Sequence, residues 1–123
     1  KEKYLVSKNI IFKGRVSKKE LKNIYNKALA MICLGYDETF CLNALEANSC
    51  GLPVLTFGKT AVKDFVKHNN NGLIVNNYEE LSSSISKILT QTNSMRKKFI
   101  NNSIAKSNSY HINNIIKYWV KLI

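Results

Sequence analysis

Long apolar runs are missing from this 123-residue chain: the longest, Ala28 to Leu34, falls far short of the roughly 18 to 20 residues needed to span a bilayer. Lys1, Glu2 and Lys3 open no signal-peptide pattern, and no internal repeat or low-complexity linker interrupts the chain. Cysteine is sparse as well. Cys33, Cys41 and Cys50 are odd in number and have no C-x-x-C spacing, and no zinc-type Cys/His cluster exists. They sit in apolar stretches, where they are expected to be reduced core or near-core thiols. A nucleophile role needs a nearby His or a cationic helix end, and Cys41, at an expected helix N-terminus, is the one weak candidate for it. With 45% hydrophobic and 22% charged residues, the chain is expected to form one compact domain, soluble and cytoplasmic by default. It opens at Lys1 rather than Met, as a piece of a longer polypeptide would.

Acidic residues are the other scarcity. Nineteen Lys and Arg stand against eight Asp and Glu, a formal charge of +11. Such a balance ordinarily points to nucleic acid or to an anionic membrane surface. Here Lys, Asn and Ile together make up 46 of the 123 residues, a bias that A+T-rich coding produces on its own, and no nucleic-acid partner is expected. The distribution of charge is more informative than its sum. Between Ala28 and Gly58 there is no Lys or Arg, and the window contains Asp37, Glu38 and Glu46. Three carboxylates with no local cation are the anomaly in a lysine-rich chain.

The pattern of residues reads as alternating strands and helices. Residues 9–13 (NIIFK) are expected to form a short buried strand, followed by the turn Gly14-Arg15-Val16. Ser17 and Glu20 make an S-x-x-E capping box ahead of a helix whose apolar stripe is Leu21, Ile24, Tyr25, Ala28 and Leu29. Residues 30–34 read as a second strand, residues 41–50 as a helix stopped by Gly51 with Pro53 beyond, and residues 54–57 as a third strand. A short helix over 60–67, a turn at Asn69-Asn70-Asn71-Gly72 and a fourth strand at 73–75 follow. Helices are expected over 78–89, capped by Asn77, over 95–107 and over 112–123. Apolar strands joined by helical crossovers imply a parallel sheet with helices on both faces. Four strands are few for a doubly wound domain, so the chain reads as the second half of one, with an apolar edge at residues 9–13 awaiting a partner.

Glu38 lies in the loop after a strand and Glu46 on the second turn of the following helix. On one continuous helix they would stand about 12 Å apart along the axis; the loop lets Glu38 fold back over the helix start. The free amides of Phe40, Cys41, Leu42 and Asn43 and the positive end of the dipole form an anion site there. Amides for a phosphate and carboxylates for sugar hydroxyls are what a nucleotide sugar requires.

Glu38-Thr39-Phe40-Cys41-Leu42, Leu45-Glu46-Ala47 and Cys50-Gly51-Leu52-Pro53-Val54 resemble the signature of the group 1 (family 4) retaining glycosyltransferases, E-[TS]-F-G-L-x-x-x-E-A-x-A-x-G-x-P-V. Phe12-Lys13-Gly14-Arg15-Val16, Glu20-Leu21 and Tyr25 look like that family's upstream F-x-G-x-V…E-L…L-Y, and Asp64-Phe65-Val66 and Asn71-Gly72-Leu73 like its downstream segments. Residues 9–90 carry the motifs and 94–123 the terminal helices of what the resemblance makes a single partial domain. It implies a GT-B architecture, this chain being the second half of the C-terminal, Rossmann-like domain. Glu38 would contact the transferred sugar as the catalytic residue and Glu46 would hold the ribose. The amides of Phe40, Cys41 and Leu42 would face sugar and phosphate, and Gly14, Arg15 and Val16 would border the base. No metal and no cofactor are expected, the nucleotide sugar being substrate, and retention is explained by front-face attack.

Two departures mark this chain. Cys41 stands where the pattern has Gly, which narrows the space near the sugar if its side chain points inward, and Thr60-Ala61 replaces Gly-Gly. The family's phosphate-binding cations and acceptor domain would precede Lys1, to be supplied by a missing N-terminal domain or a partner chain.

Plainer readings stand beside this one. Taken without the flanking motifs, Glu38 reads as a loop charge favoured near a helix start and Glu46 as an exposed helical residue, a reading that the motifs outweigh; Arg15 reads equally as a solvated turn residue and as a base or phosphate contact; His68 and His111 read as surface histidines. Ile112, Ile115, Ile116, Trp119, Val120 and Ile123, flanked by Lys117 and Lys121, suit peripheral contact with the inner face of a membrane, although packing against protein is the commoner reason for such a stripe. The alternative function is a non-catalytic basic binding module, or a remnant subunit that needs a partner chain.

Overall fold

The structure, a computed structural model, describes residues 9–35 and 39–121. Three short strands, β1 (Met31–Cys33), β2 (Val54–Phe57) and β3 (Gly72–Val75), form a parallel sheet in the order β1-β2-β3. Val54 pairs with Met31 on one side and with Gly72 on the other. The described residues also form five helices: α1 (Lys18–Lys27), α2 (Leu42–Ser49), α3 (Tyr78–Leu89), α4 (Asn93–Asn108) and α5 (Ile112–Val120).

The helix starts follow local chemistry. Ser17 Oγ accepts from the Glu20 amide at 3.3 Å, Asn77 Oδ1 from the Glu80 amide at 2.8 Å, and Thr92 Oγ1 from the Met95 amide at 3.3 Å. Gly51 ends α2 at φ +78°, and a Cβ there would press on Ile100 of α4. The stretch expected to be helical over 60–67 is reduced to a single 3-10 turn, Ala61–Asp64. Its first hydroxyl, Thr60 Oγ1, is buried and bonded to Thr56 Oγ1 and the Phe57 carbonyl, which holds the chain to the strand it has just left.

Successive β2 side chains enter opposite cores. Val54 joins Ala44, Ala47, Val62, Phe65 and Val66 on one face, while Leu55 joins Leu73, Ile88 and Phe99 on the other. Helices therefore cover both faces of a parallel sheet. Gly72 is required where β3 meets β2, because a Cβ would collide with the Val54 carbonyl.

The expected strand at residues 9–13 is not formed. These residues are exposed, Phe12 at 77%, and no strand of the described residues lies beside them to receive their backbone bonds. Among the described residues the sheet consequently has three strands rather than four. At its other edge the outward amides are already occupied: Ile74 donates to His68 Nδ1 at 3.0 Å, and Asn76 to Glu80 Oε2 at 2.8 Å. His68 is thus an edge-capping residue as well as a surface one.

A buried amide pair ties these layers together. Asn71 Nδ2 donates to Asn48 Oδ1 at 2.7 Å and to the Phe65 carbonyl at 2.9 Å, and Asn71 Oδ1 accepts from the Lys67 amide at 2.7 Å. Asn71→Ala leaves Asn48 Oδ1, the Phe65 carbonyl and the Lys67 amide without this partner in a dry interior, and is expected to cost about 3 kcal/mol. Urea denaturation will read this as a lower midpoint at unchanged slope.

Candidate functional site

α2 is the element that arranges the candidate site. Its N-cap is Cys41, whose side chain makes no capping bond, and the first intrahelical bonds are donated by Ala44 and Leu45 to the Cys41 carbonyl. The amides of Leu42 and Asn43 are left at the positive end of the helix. The Phe40 ring packs 5.5 Å from that of Phe65 and 6.1 Å from that of Tyr110. Leu42 is exposed. The Cys41 side chain does not narrow this mouth, because it is buried with its Sγ 3.2 Å from Cys33 Sγ.

One turn further along, Glu46 reaches a cavity of about 470 Å³ between α1 and α2, floored by Ile104 of α4. Lys18, Lys22, Tyr25 and Asn26 line it from α1. Among the described residues, no hydrogen bond or ion pair engages the Glu46 carboxylate. The Tyr25 hydroxyl donates to the Asn43 carbonyl at 3.3 Å, joining α1 to the first turn of α2. Burial pushes the Tyr25 phenol above its ordinary value of 10.0, and the Glu46 carboxylate, then Cys41 and Cys50, push the same way. Tyr110 is raised by burial and by Asp64.

The structure unites only part of the expected constellation. Glu38 lies outside the described residues. Gly14 sits at φ +61° with open space around it, and Arg15 is exposed; neither they nor Val16 line the Glu46 cavity, although α1 begins two residues beyond Val16. Phe40, Cys41 and Leu42 border the helix end and not the cavity. In the sequence Tyr25 belongs to the apolar stripe of α1, and no motif singles out Lys18 or Lys22. Their i, i+4 spacing was a signal that they share a face, but which partner that face meets is a non-local fact. No group of three or more His, Cys, Asp or Glu side chains among the described residues is placed to hold a metal ion. No described helix is long and apolar enough to cross a membrane.

The family model described as "Glycosyl transferases group 1" matches residues 1–106. The chain belongs to the group 1 glycosyl transferases. A curated relative of this group 1 chain is the GalNAc-alpha-(1->4)-GalNAc-alpha-(1->3)-diNAcBac-PP-undecaprenol alpha-1,4-N-acetyl-D-galactosaminyltransferase of Campylobacter jejuni, 28% identical over 117 residues. The match covers 91% of this chain and 31% of the relative. Among solved structures, the C-terminal domain of a group 1 family glycosyl transferase (LpcC) from Francisella tularensis superposes with a TM-score of 0.69 at 20% identity. That match covers 80% of this chain and 52% of the other. The group 1 chain thus shares the fold of a C-terminal glycosyl transferase domain and spans about a third of the curated relative.

Tyr25 generates a prediction about alkaline stability. With its folded value raised, the folded state keeps the phenolic proton above pH 10, where the unfolded chain releases it. Stability is intact below that point and declines as pH rises through it. Tyr25→Phe is expected to flatten this decline, which unfolding midpoints measured between pH 8 and about 11 will show.

Proposed function

We propose that this chain is the donor-binding part of a retaining glycosyltransferase that moves a hexosyl unit from a nucleotide sugar to an acceptor hydroxyl in cell-surface polysaccharide or glycolipid synthesis. The observation that carries the reading is Glu46, a carboxylate with no hydrogen-bond or ion-pair partner among the described residues, at the wall of a cavity, one turn behind a helix N-terminus, in a group 1 chain. A carboxylate accepts from both hydroxyls of a ribose diol, and the Leu42 and Asn43 amides suit the charge of a diphosphate. Lys18 and Lys22 add positive charge near the same mouth. Glu38 is assigned to the transferred sugar and Gly14, Arg15 and Val16 to the base by resemblance. The acceptor hydroxyl attacks on the face from which the nucleotide departs, and its proton passes to the leaving phosphate. Stabilising that phosphate is then the largest contribution to catalysis. No metal has a role in this reading.

The acceptor site is assigned to a preceding domain or a partner chain. The PP-undecaprenol in the relative's name supports a lipid-linked acceptor here; cytoplasmic work beside the inner face of a membrane belongs to the same proposal. Exposed Ile112, Ile116, Trp119 and Val120 on α5, next to Lys117, are the residues assigned to that peripheral contact.

Saturation-transfer NMR with UDP- and GDP-sugars tests the donor site. Glu46→Ala is expected to weaken binding roughly 10- to 100-fold, the loss of charge-assisted hydrogen bonds. Equal binding by both forms, or no binding of any nucleotide sugar by the natural full-length product, would sink the proposal. Cosedimentation with phosphatidylglycerol vesicles tests the membrane contact: Trp119→Ser should reduce the bound fraction, and an unchanged fraction counts against α5.

A further inference from the structure

Two thiols meet where β1 ends and α2 begins. Cys33 Sγ and Cys41 Sγ are 3.2 Å apart, and the residues are only 9% and 6% exposed. Their surroundings are apolar: Ala44, Val62, Phe65 and Val66 belong to the same cluster. Cys50, the third cysteine, is half-buried, and none of the three is in a disulfide. Cys41 occupies the position at which the group 1 signature has Gly, so the contact is a property of this chain and not of the pattern. Its side chain serves no capping bond, and the donor reading uses only its amide.

We propose that Cys33 and Cys41 form a reversible dithiol–disulfide pair that responds to hydroperoxide. One sulfur attacks a peroxide oxygen, the O–O bond breaks, and hydroxide leaves and is protonated to water, giving a sulfenic acid. The second sulfur displaces hydroxide from that sulfenic acid, the S–S bond forms, and the second water leaves with the remaining thiol proton. In sum, two thiols and one hydrogen peroxide give one disulfide and two waters, the sulfurs losing two electrons and the peroxide gaining them. The sulfurs need to close by about 1 Å to reach a disulfide length near 2.05 Å. Peroxide is close to water in size, and the second step is intramolecular between groups already in contact, so burial that bars bulky disulfides does not bar this route.

The bond covalently joins the last residue of β1 to the N-cap of α2. The amide end of α2 is then pinned to the sheet, and its adjustment around a bound anion is restricted. That consequence rests on the donor reading; the pairing itself does not.

The test uses the whole chain without any nucleotide sugar, so its failure is separate from a failure of that reading. Reduced protein exposed to stoichiometric hydrogen peroxide is expected to lose the mass of two hydrogens. Non-reducing peptide mapping should recover Cys33 linked to Cys41, with Cys50 still alkylated, and dithiothreitol should restore all three thiols. Cys50→Ser should behave the same way, and hydrogen exchange at Leu42 to Ala44 should slow several-fold in the oxidised form. Three alkylatable thiols after a treatment that oxidises free cysteine would overturn the proposal. So would linkage through Cys50, a disulfide-linked dimer as the main product, or added oxygen on a single sulfur with no S–S bond.

Discussion

The hydrogen bond between Asn71 and Asn48, 2.7 Å long and shielded from solvent, is the constraint on which the rest of this structure hangs. Asn48 belongs to the helix that bears Glu46, and Asn71 immediately precedes β3. Each amide is otherwise engaged with backbone: Asn48 Nδ2 with the carbonyls of Ala44 and Leu52, Asn71 with Phe65 and Lys67. Ser103 of α4 donates to the Asn71 carbonyl at 3.4 Å, bringing a third layer into the same network. A buried amide is tolerated only when its donors and acceptors are met, and the network meets them with groups fixed by four separate segments. The orientation of α2 is thereby set against the sheet.

From that orientation the chemistry of the site follows. α2 offers its N-terminal amides at one end and the Glu46 carboxylate one turn later, while Tyr25 draws α1 alongside through the Asn43 carbonyl. The cavity between them brings Glu46 and the cations Lys18 and Lys22 around one space. Phe40 packs tilted against Phe65 and Tyr110, which meet each other edge to face, and Lys106 Nζ lies 5.3 Å from the Tyr110 ring centroid. The sheet is asymmetric in the same sense. Its β3 edge is closed by His68 and Glu80, whereas β1, the edge strand opposite, carries Ile32 at 48% exposure.

Much of the fold was legible because it is local. Ser17, Asn77 and Gly51 do what their residue types do at helix ends, and the 54–57 strand and the 78–89 helix lie where the apolar pattern puts them. The errors are non-local. Residues 9–13 have strand composition, but a strand exists only through pairing, and no described strand flanks them. The residues over 60–67 make only a 3-10 turn because buried Thr60 is tied back to Thr56 and Phe57. In the Asn69–Gly72 turn it is Asn69 that takes positive φ, at 58°, while Asn71 looked like a turn residue and is a core residue. Of the candidate site, Glu46 and the amide end of α2 were legible from spacing; the α1 wall of the cavity was not.

Sequence alone determined the class of the fold, the family, and the separation of Glu46 from the start of its helix, because helix period, capping and motif spacing depend on residues near one another in the chain. Tertiary structure decided that Cys41 turns toward Cys33, that Tyr25 and Lys22 share a cavity with Glu46, and that two asparagines 23 positions apart bond in the core. These outcomes depend on which surfaces meet when helices close over the sheet. That meeting is set by packing volume and by the need to satisfy buried polar groups across the whole domain, and no window of sequence contains both partners.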